Sequence, residues 1–267
     1  MRYEQIPAPA YLSNYVRYIW TLESGAMSHQ FRIIADGSPG LIFQNGPAGL
    51  FEQNKKEMPN VLLYGQSTTH AEISMGKSTM IGICFFPGAL KSIFDLNANE
   101  LTDTCMDLDL FATRHGYYLR EQLLNLESVS DQINMLCTYL FAQIHKNDRK
   151  PDGHTDYVLS MMIRSKGMVS LKVLQKELNV SERSLERKFK QHVGISPKMF
   201  SRICSFQASL NQLKNNEYEK LSDIAYENGY SDQSHFIRTF KEFAGFSPYQ
   251  YQKQPHNVAD NFPELVK

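Results

Sequence analysis

Between Leu171 and Tyr251 the chain states one pattern twice. The first copy runs Leu171 to Leu178, then Asn179-Val180-Ser181, then a stretch with Leu185, Arg187, Phe189 and Lys190, and closes on Gly194-Ile195-Ser196-Pro197. The second runs Leu221 to Asn228, then Gly229-Tyr230-Ser231, then Phe236, Arg238, Phe240 and Lys241, and closes on Gly245-Phe246-Ser247-Pro248. Leu171, Leu174, Val180 and Ser181 recur fifty positions later, whereas Leu185, Arg187, Phe189, Gly194 and Pro197 recur after fifty-one, so one residue is inserted where the second long helix starts. Repeats of this length usually build solenoids. Two copies alone are better explained as a pair of helix-turn-helix units.

At 267 residues the chain is long enough for two domains, each with its own core. Its formal charge is zero, which argues against nucleic acid until the charges are placed. From Thr155 to Lys253 fifteen Lys and Arg face ten Asp and Glu, from Met1 to His154 twelve face sixteen, and the remaining tail is acidic by one. The cationic excess falls on the repeated region, as phosphate contact requires. Cys84, Cys105, Cys137 and Cys204 show no CxxC spacing and read as reduced thiols. The stretch Met1 to Pro7 has no apolar signal-peptide core and no window approaches a membrane span. A cytoplasmic protein with no membrane partner is the expectation.

The organisation expected is α+β in two domains. Residues 1–146 form a regulatory domain: a β-rich barrel or sandwich over 1–106 and a helical hairpin over 107–146. Strands are expected at Phe31 to Ala35, Gly40 to Gln44, Val61 to Tyr64, Ala71 to Met75 and Thr79 to Phe86, punctuated by Asp36-Gly37, Asn45-Gly46 and Met75-Gly76. Gly88 to Phe94 suits a short helix after Pro87. Two amphipathic helices follow, with Leu119, Leu123, Leu124 and Leu126 before Ser128 and Ile133, Leu136, Leu140 and Ile144 after it. They either pair two copies of the chain as a homodimer or merely cover the barrel. A polar linker is expected over 147–154, an all-α double helix-turn-helix domain over 155–253, and a tail over 254–267.

Ser181 and Ser231 stand where helix N-caps are needed. On the first long helix Leu185 and Phe189 face the core, which turns Arg183 and Arg187 outward with Glu186 beside them. On the second, Phe236, Phe240 and Phe243 form the core stripe while Ser234, Arg238 and Lys241 line the outer face, with Gln233 and His235 near its start. Such a face fits a major groove, where Arg reads guanine and Gln reads adenine. Each residue has a plainer reading. Arg183, Arg187 and Arg238 also suit phosphate contact or simple solvation, and Lys190 and Lys241 suit phosphates. Glu186 repels phosphate and serves better by orienting Arg183 or Lys190. His235 is more often a packing residue than a base reader, so Gln233 is the adenine candidate. Between the copies, Phe200, Ile203, Phe206, Leu210 and Leu213 recur at helical spacing from Pro197 to Lys214. A helix of that extent spans on the order of 25 Å, which with its flanking bundles can hold two readers about one DNA turn, roughly 34 Å, apart.

The strings Ser181-x-x-x-Leu185-x-Arg187-x-Phe189-Lys190-x-x-x-Gly194-x-Ser196-Pro197 and Ile224-Ala225-x-x-x-Gly229-Tyr230-Ser231-Asp232-x-Ser234-x-Phe236-x-Arg238-x-Phe240-Lys241-x-x-x-Gly245-x-Ser247-Pro248 resemble the AraC/XylS family of transcriptional regulators. The resemblance covers about Thr155 to Lys253. It implies two recognition helices in successive major grooves of promoter DNA, joined by a long helix, most often activating transcription with RNA polymerase as partner. Gln175 departs from a small Ala usual in the first unit, and Ser205 and Ser209 replace an Arg and an Ala common on the connecting helix. The N-terminal half resembles the sensor region of a subset of AraC-like regulators through Pro7, Pro9, Leu12, Tyr15, Val16, Tyr18 and Trp20, Ala35-Asp36-Gly37, Leu41-Ile42-Phe43, Gly65-Gln66, Phe85-Phe86-Pro87-Gly88 and Glu100-Leu101-Thr102-Asp103. That resemblance implies a regulatory domain and little else; the mechanism expected is that an unidentified small-molecule effector or a dimer contact at this domain changes the availability of the two readers.

The eight histidines are scattered without HxH or HExxH spacing, so no metal and no cofactor is expected, and no phosphate-binding glycine loop occurs. Ser67-Thr68-Thr69-His70 near Asp36 is no evidence of a triad, and no enzymatic activity is expected. The rival readings are an alkyl-accepting cysteine enzyme, which needs an exposed activated thiol, and a constitutive architectural binder. Cys84 lies in the apolar run Ile81 to Phe86 and reads as inert. Trp20, Tyr64, Phe85 and Phe86 either line a ligand cavity or fill the barrel core, and core is the expectation for most of them.

Overall fold

Side chains from Val16 to Glu23 alternate between two faces, as a strand with a period of two dictates, and each face is buried against something different. Ile19 points to one core and Tyr18, Trp20 and Leu22 to another. The computed structural model describes residues 2–25, 29–47, 49–51, 56–147 and 152–253. Among them the strands are β1 (Arg2–Pro7), β2 (Val16–Glu23), β3 (His29–Ile33), β4 (Gly40–Asn45), β5 (Leu50–Phe51), β6 (Lys56–Glu57), β7 (Val61–Tyr64), β8 (Ala71–Met75), β9 (Thr79–Phe85) and β10 (Cys105–Asp107). A six-stranded sheet runs β1-β2-β9-β4-β7-β10 and a four-stranded sheet β3-β8-β5-β6, all pairs antiparallel. No described strand pairs from one sheet to the other, so of barrel and sandwich the fold is the sandwich.

The two faces of the large sheet make three layers. Ile19, Leu41, Phe43, Leu63, Ile81, Ile83 and Phe85 pack under helices, while Tyr18, Trp20, Ile42, Leu62, Met80 and Cys84 meet Ile73 of the small sheet. The helical layer holds α1 (Ala89–Phe94), α2 (Leu108–Thr113), α3 (Leu119–Leu124) and α4 (Val129–Asn147). After α1, the region expected as a two-helix hairpin is thus three helices. Asp107 caps α2 by accepting from the Asp109 N–H at 2.9 Å, and the chain breaks at Gly116, where φ is +81°. Leu119, Leu123, Leu136 and Leu140 are fully buried against the sheet, so these side chains cover the sandwich, one of the two roles left open for them.

The C-terminal part is all helical: α5 (Gly153–Arg164), α6 (Leu171–Glu177), α7 (Glu182–Val193), α8 (Pro197–Lys214), α9 (Leu221–Glu227), α10 (Gln233–Ala244) and α11 (Pro248–Lys253). Residues 148–151 of the expected linker and the expected tail from 254 onward lie outside the described residues. One core runs through all seven helices, and it also takes in Ile34 and Ala35 from the segment after β3. No helix among the described residues is long and apolar enough to cross a membrane.

Candidate nucleic-acid interface

Each helix-turn-helix is built from three local devices. The first helix of each pair, α6 or α9, ends in a left-handed residue, Asn179 (φ +49°) or Gly229 (φ +76°). The next residue turns its N–H back into the helix: Val180 donates to the Gln175 carbonyl at 3.0 Å and Tyr230 to that of Ala225 at 2.9 Å. This is the C-terminal turn that satisfies orphan carbonyls and seats an apolar residue after the bend. The second helix then starts on a capped N-terminus. Ser181 caps α7, accepting from the Ser184 N–H at 3.2 Å. In the second unit the cap is Asp232, not Ser231: its Oδ1 accepts from the His235 N–H at 2.7 Å. The inserted residue moves the cap one position on, and α7 and α10 come out equal at 12 residues. The His235 N–H holds the Asp232 carboxyl below its usual value, with Ser231 adding to the effect. Both helices stop on a left-handed glycine, Gly194 or Gly245.

The capped helices present opposite faces to core and solvent. Leu185, Phe189 and Val193 are buried on α7, and Phe236, Phe240 and Phe243 on α10. Arg183, Arg187 and Lys190 are exposed, as are Gln233, Ser234, Arg238 and Lys241. Glu186 and His235 are half-buried. Glu186 pairs with Lys190 at 2.9 Å one turn on, an exposed pair contributing only about 0.3–0.5 kcal/mol and most useful for orienting Lys190. His235 is turned toward its own cap: its Nδ1 lies 3.3 Å from Ser231 Oγ, and its ring meets Tyr230 edge-on at 5.3 Å. These contacts favour packing over base contact for His235.

Helix α8 fixes the two units relative to each other. Its Phe200 meets Phe189 of the first unit at 5.7 Å, and its Phe206 meets Phe240 and Phe243 of the second, both at 5.3 Å. Ser205 and Ser209, the departures on this helix, bond inward: Ser205 Oγ donates to the Lys166 carbonyl at 3.0 Å and Ser209 Oγ to that of Phe206 at 2.7 Å. Gln175 is half-buried where its counterpart Ala225 is fully buried, so the first unit is the more loosely packed at that point. One contact has no signal in the repeat. Arg202 makes a two-pronged pair with Glu242 at 3.0 and 2.6 Å and lies over the Phe243 ring at 5.1 Å, clamping α10 to α8.

The C-terminal ends of both recognition helices rest on the N-terminal domain. Thr102 Oγ1 donates to the Gly194 carbonyl at 2.7 Å, and Thr69 Oγ1 to that of Glu242 at 3.2 Å. Ala35 is held twice: its N–H donates to the Phe243 carbonyl at 3.2 Å, and its own carbonyl accepts from Gln207 Nε2 at 2.6 Å. Arg32 lies over Phe246 at 5.1 Å. None of these contacts involves Arg183, Arg187 or Arg238, all of which are exposed.

Beside the seam, between the two sheets, lies a cavity of about 310 Å³ lined by Tyr18, Trp20, Ile34, Asp36, Tyr64 and Ile73 among others. Trp20 and Tyr64 of the four candidate aromatics line it. Phe85 belongs to the core on the other face, and Phe86 is 39% exposed. Glycines seat the two rings: a Cβ on Gly82 would overlap Trp20, and one on Gly40 would overlap Tyr64. Asp36 accepts from the Ser38 N–H at 2.9 Å. It lines the cavity and is itself half-buried. Burial therefore raises its pKa from 3.8 to about 6, against the lowering pull of the Ser38 N–H and Arg17. Cys84 is buried beside it, its thiol pushed up to about 11, which leaves little of the thiolate that alkyl transfer needs.

The buried Asp36 gives a pH-dependent stability with a definite sign. The unfolded chain releases this proton near 3.8 and the folded chain near 6, so the contribution of Asp36 to stability falls as pH rises through that window and is level above it. The Arg17 guanidinium lies near the carboxyl, and Tyr18, Tyr64 and Cys84, which also face it, are pushed up and away from the window by burial. Asp36→Asn removes the fall, and at pH 7.5 it is expected to raise unfolding free energy by roughly 2–3 kcal/mol, at 1.36 kcal/mol per pKa unit. Urea titrations of both forms at pH 4 and pH 7.5 check this; a variant no more stable at the higher pH contradicts it.

Two capped helix-turn-helix units on one connecting helix define a double helix-turn-helix protein. Residues 174–254 match a helix-turn-helix domain, and residues 4–107 match a domain of unknown function (DUF6597). Similar curated proteins are described as uncharacterized HTH-type transcriptional regulators. One from Staphylococcus aureus (strain MSSA476) is 25% identical over 145 residues, 54% of this chain and 16% of its own length. Another, from Haemophilus influenzae, is 36% identical over 74 residues, 28% of this chain and 24% of its own. The matched stretches thus span a quarter or less of these relatives. Among solved structures, unsaturated-fatty-acid-bound wild-type ToxT from Vibrio cholerae is 15% identical, covers 97% of this chain and 99% of its own, and gives a TM-score of 0.45. The C-terminal domain of AraT, a response regulator from Geobacillus stearothermophilus, is 24% identical over 42% of this chain and 99% of its own, with a TM-score of 0.36. The chain carries an AraC-type helix-turn-helix domain at its C-terminal end and a DUF6597 domain ahead of it.

Proposed function

We propose that the chain is a cytoplasmic, sequence-specific DNA-binding regulator of transcription, and that it acts as an activator. Helices α7 and α10 enter successive major grooves of promoter DNA, and the N-terminal domain controls their availability. The observation that carries this reading is the pair of equal, capped helices whose apolar faces are buried while Arg183, Arg187, Gln233 and Arg238 stand exposed. Lys190, Lys241 and Ser234 serve the phosphates, and Glu186 sets the direction of Lys190. Control runs through the seam. A ligand or dimer contact that favours one arrangement of the N-terminal domain changes how firmly Ala35, Thr69 and Thr102 hold the readers, and shifts the population competent for DNA. RNA polymerase and a second copy of the chain are the protein partners of this reading. No catalytic step is assigned to the chain, in keeping with the buried, protonated Cys84.

The test is selection of bound sequences from random DNA at fixed salt with the full chain, followed by Arg238→Ala on the selected site. Arg238 is exposed and off the core, so the variant should fold normally and lose about 1–3 kcal/mol of specific binding, with relaxed preference at one position. Enrichment of no sequence rejects the regulator; unchanged affinity and preference in the variant reject Arg238 as a base reader.

A further inference from the structure

The cavity between the sheets has a composition that selects one kind of ligand. At about 310 Å³ it lies near the lower end of small-molecule sites, which run from roughly 300 Å³ upward. Its walls pair aliphatic side chains with aromatic rings seated over Gly82 and Gly40, as above. The charged side chains at the walls are Asp36, Lys56 and Asp103, with His70 beside them. Lys56 is exposed on the short strand β6. Asp103 already receives the Thr68 N–H and Oγ1, both at 2.6 Å. Asp36 is the least exposed of the three, and the Ser38 N–H and Arg17 do not offset the desolvation of its carboxyl.

We infer that this cavity binds a small organic ammonium ion, with the charged nitrogen against Asp36 and the apolar part against Trp20 and Tyr64. A carboxylate ligand of the same size meets two acidic side chains there against one cation, Lys56, which is exposed. A neutral one leaves Asp36 as under-compensated as before. The inference rests on the reading of the N-terminal domain as a sensor and names its effector class. Because Asp36 directly follows Ala35, whose backbone is held by Phe243 and Gln207, a ligand drawn onto Asp36 pulls on the segment that secures the reader.

Trp20 is the only tryptophan of the chain and lines the cavity, so its emission reports occupancy without a label. Three probes of one skeleton are titrated into the full chain: 2-phenylethylammonium, 2-phenylethanol and 3-phenylpropanoate. The ammonium is expected to bind at least about tenfold more tightly than the alcohol, a difference of about 1.4 kcal/mol, with the carboxylate weakest. Asp36→Asn keeps an acceptor for the Ser38 N–H and should bring ammonium and alcohol to within about twofold. Ile73→Phe fills the cavity from β8, leaves Asp36 in place, and should weaken all three probes, which secures the test if the first variant fails to fold. Equal affinity for ammonium and alcohol overturns the inference, as does a preference for the carboxylate or an ammonium preference that survives in folded Asp36→Asn. Specific DNA binding measured on the same samples separates the two claims. DNA binding without ammonium preference sinks only the effector class, whereas ammonium preference without specific DNA binding sinks the regulator and leaves the site.

Discussion

Phe240→Ala is expected to destabilise the chain by about 3–5 kcal/mol, the range for removing a fully buried aromatic ring. Phe240 has no accessible surface, and its ring meets Phe206 at 5.3 Å, Phe236 at 5.7 Å, and Phe246 and Tyr251 both at 6.1 Å. Those neighbours belong to α8, α10, the following turn and α11, so the ring joins the elements of the C-terminal domain that fix the second reader, α9 excepted. A cavity in their midst cannot close without moving helices already held by Phe206 and Arg202. Since domains are stable by only about 5–15 kcal/mol in total, the second unit should lose specific DNA binding at 37 °C while Arg238 is untouched. Urea denaturation followed by far-ultraviolet circular dichroism measures the loss. A midpoint that corresponds to less than about 1 kcal/mol would mean the site collapses onto itself, and the account of α10 as a helix pinned from behind would be wrong. Arg238→Ala is the mirror image, with stability kept and recognition lost, and the contrast separates what holds the helix from what the helix reads.

How much of this was legible before coordinates follows from which interactions are local. The repeat registers fixed caps, bends and core stripes because each is set by residues within about one helical turn. Ser181, Leu185, Phe189 and Gly194 stand where the spacing puts them. Ser231 does not, since the inserted residue hands the cap to Asp232, and both residue types cap equally well. Strand β1 escaped notice because Arg2, Glu4 and Gln5 show no apolar alternation; it lies at the edge of the sheet and needs none. Strand β2 carries apolar side chains on both faces, one toward each core, which blurs the period of two. The seam was out of reach: Ala35 meets Phe243 and Gln207 across more than half the chain, and an alanine carries no side-chain signal of what its backbone will bond. The cavity was half visible, with Trp20 and Tyr64 recognisable as aromatics near strands but the glycines that seat them, Gly82 and Gly40, indistinguishable from ordinary strand glycines until paired in register.

Gly167→Ala is expected to cost about 2–4 kcal/mol, through backbone strain of about 1 kcal/mol and a steric conflict of about 1–3 kcal/mol. Gly167 closes the bend after α5, with φ at +80° and its N–H donating to the Met162 carbonyl at 2.8 Å. A Cβ there would fall inside the contact distance of the Ser201 carbonyl oxygen on α8, and a backbone oxygen within a helix cannot step aside as a flexible side chain can. The helix that spaces the two readers would have to shift, taking Phe200 and the first unit with it. Gly116→Ala isolates the strain alone: φ is +81° there, and nothing lies within 4 Å of the added carbon, so about 1 kcal/mol is expected. The excess of the first variant over the second, read from urea midpoints, is the energy of the approach between the α5 turn and α8. If the two variants lose equally, that approach is slack, and the spacing of α7 and α10 is set by the aromatic contacts of Phe200 and Phe206 alone.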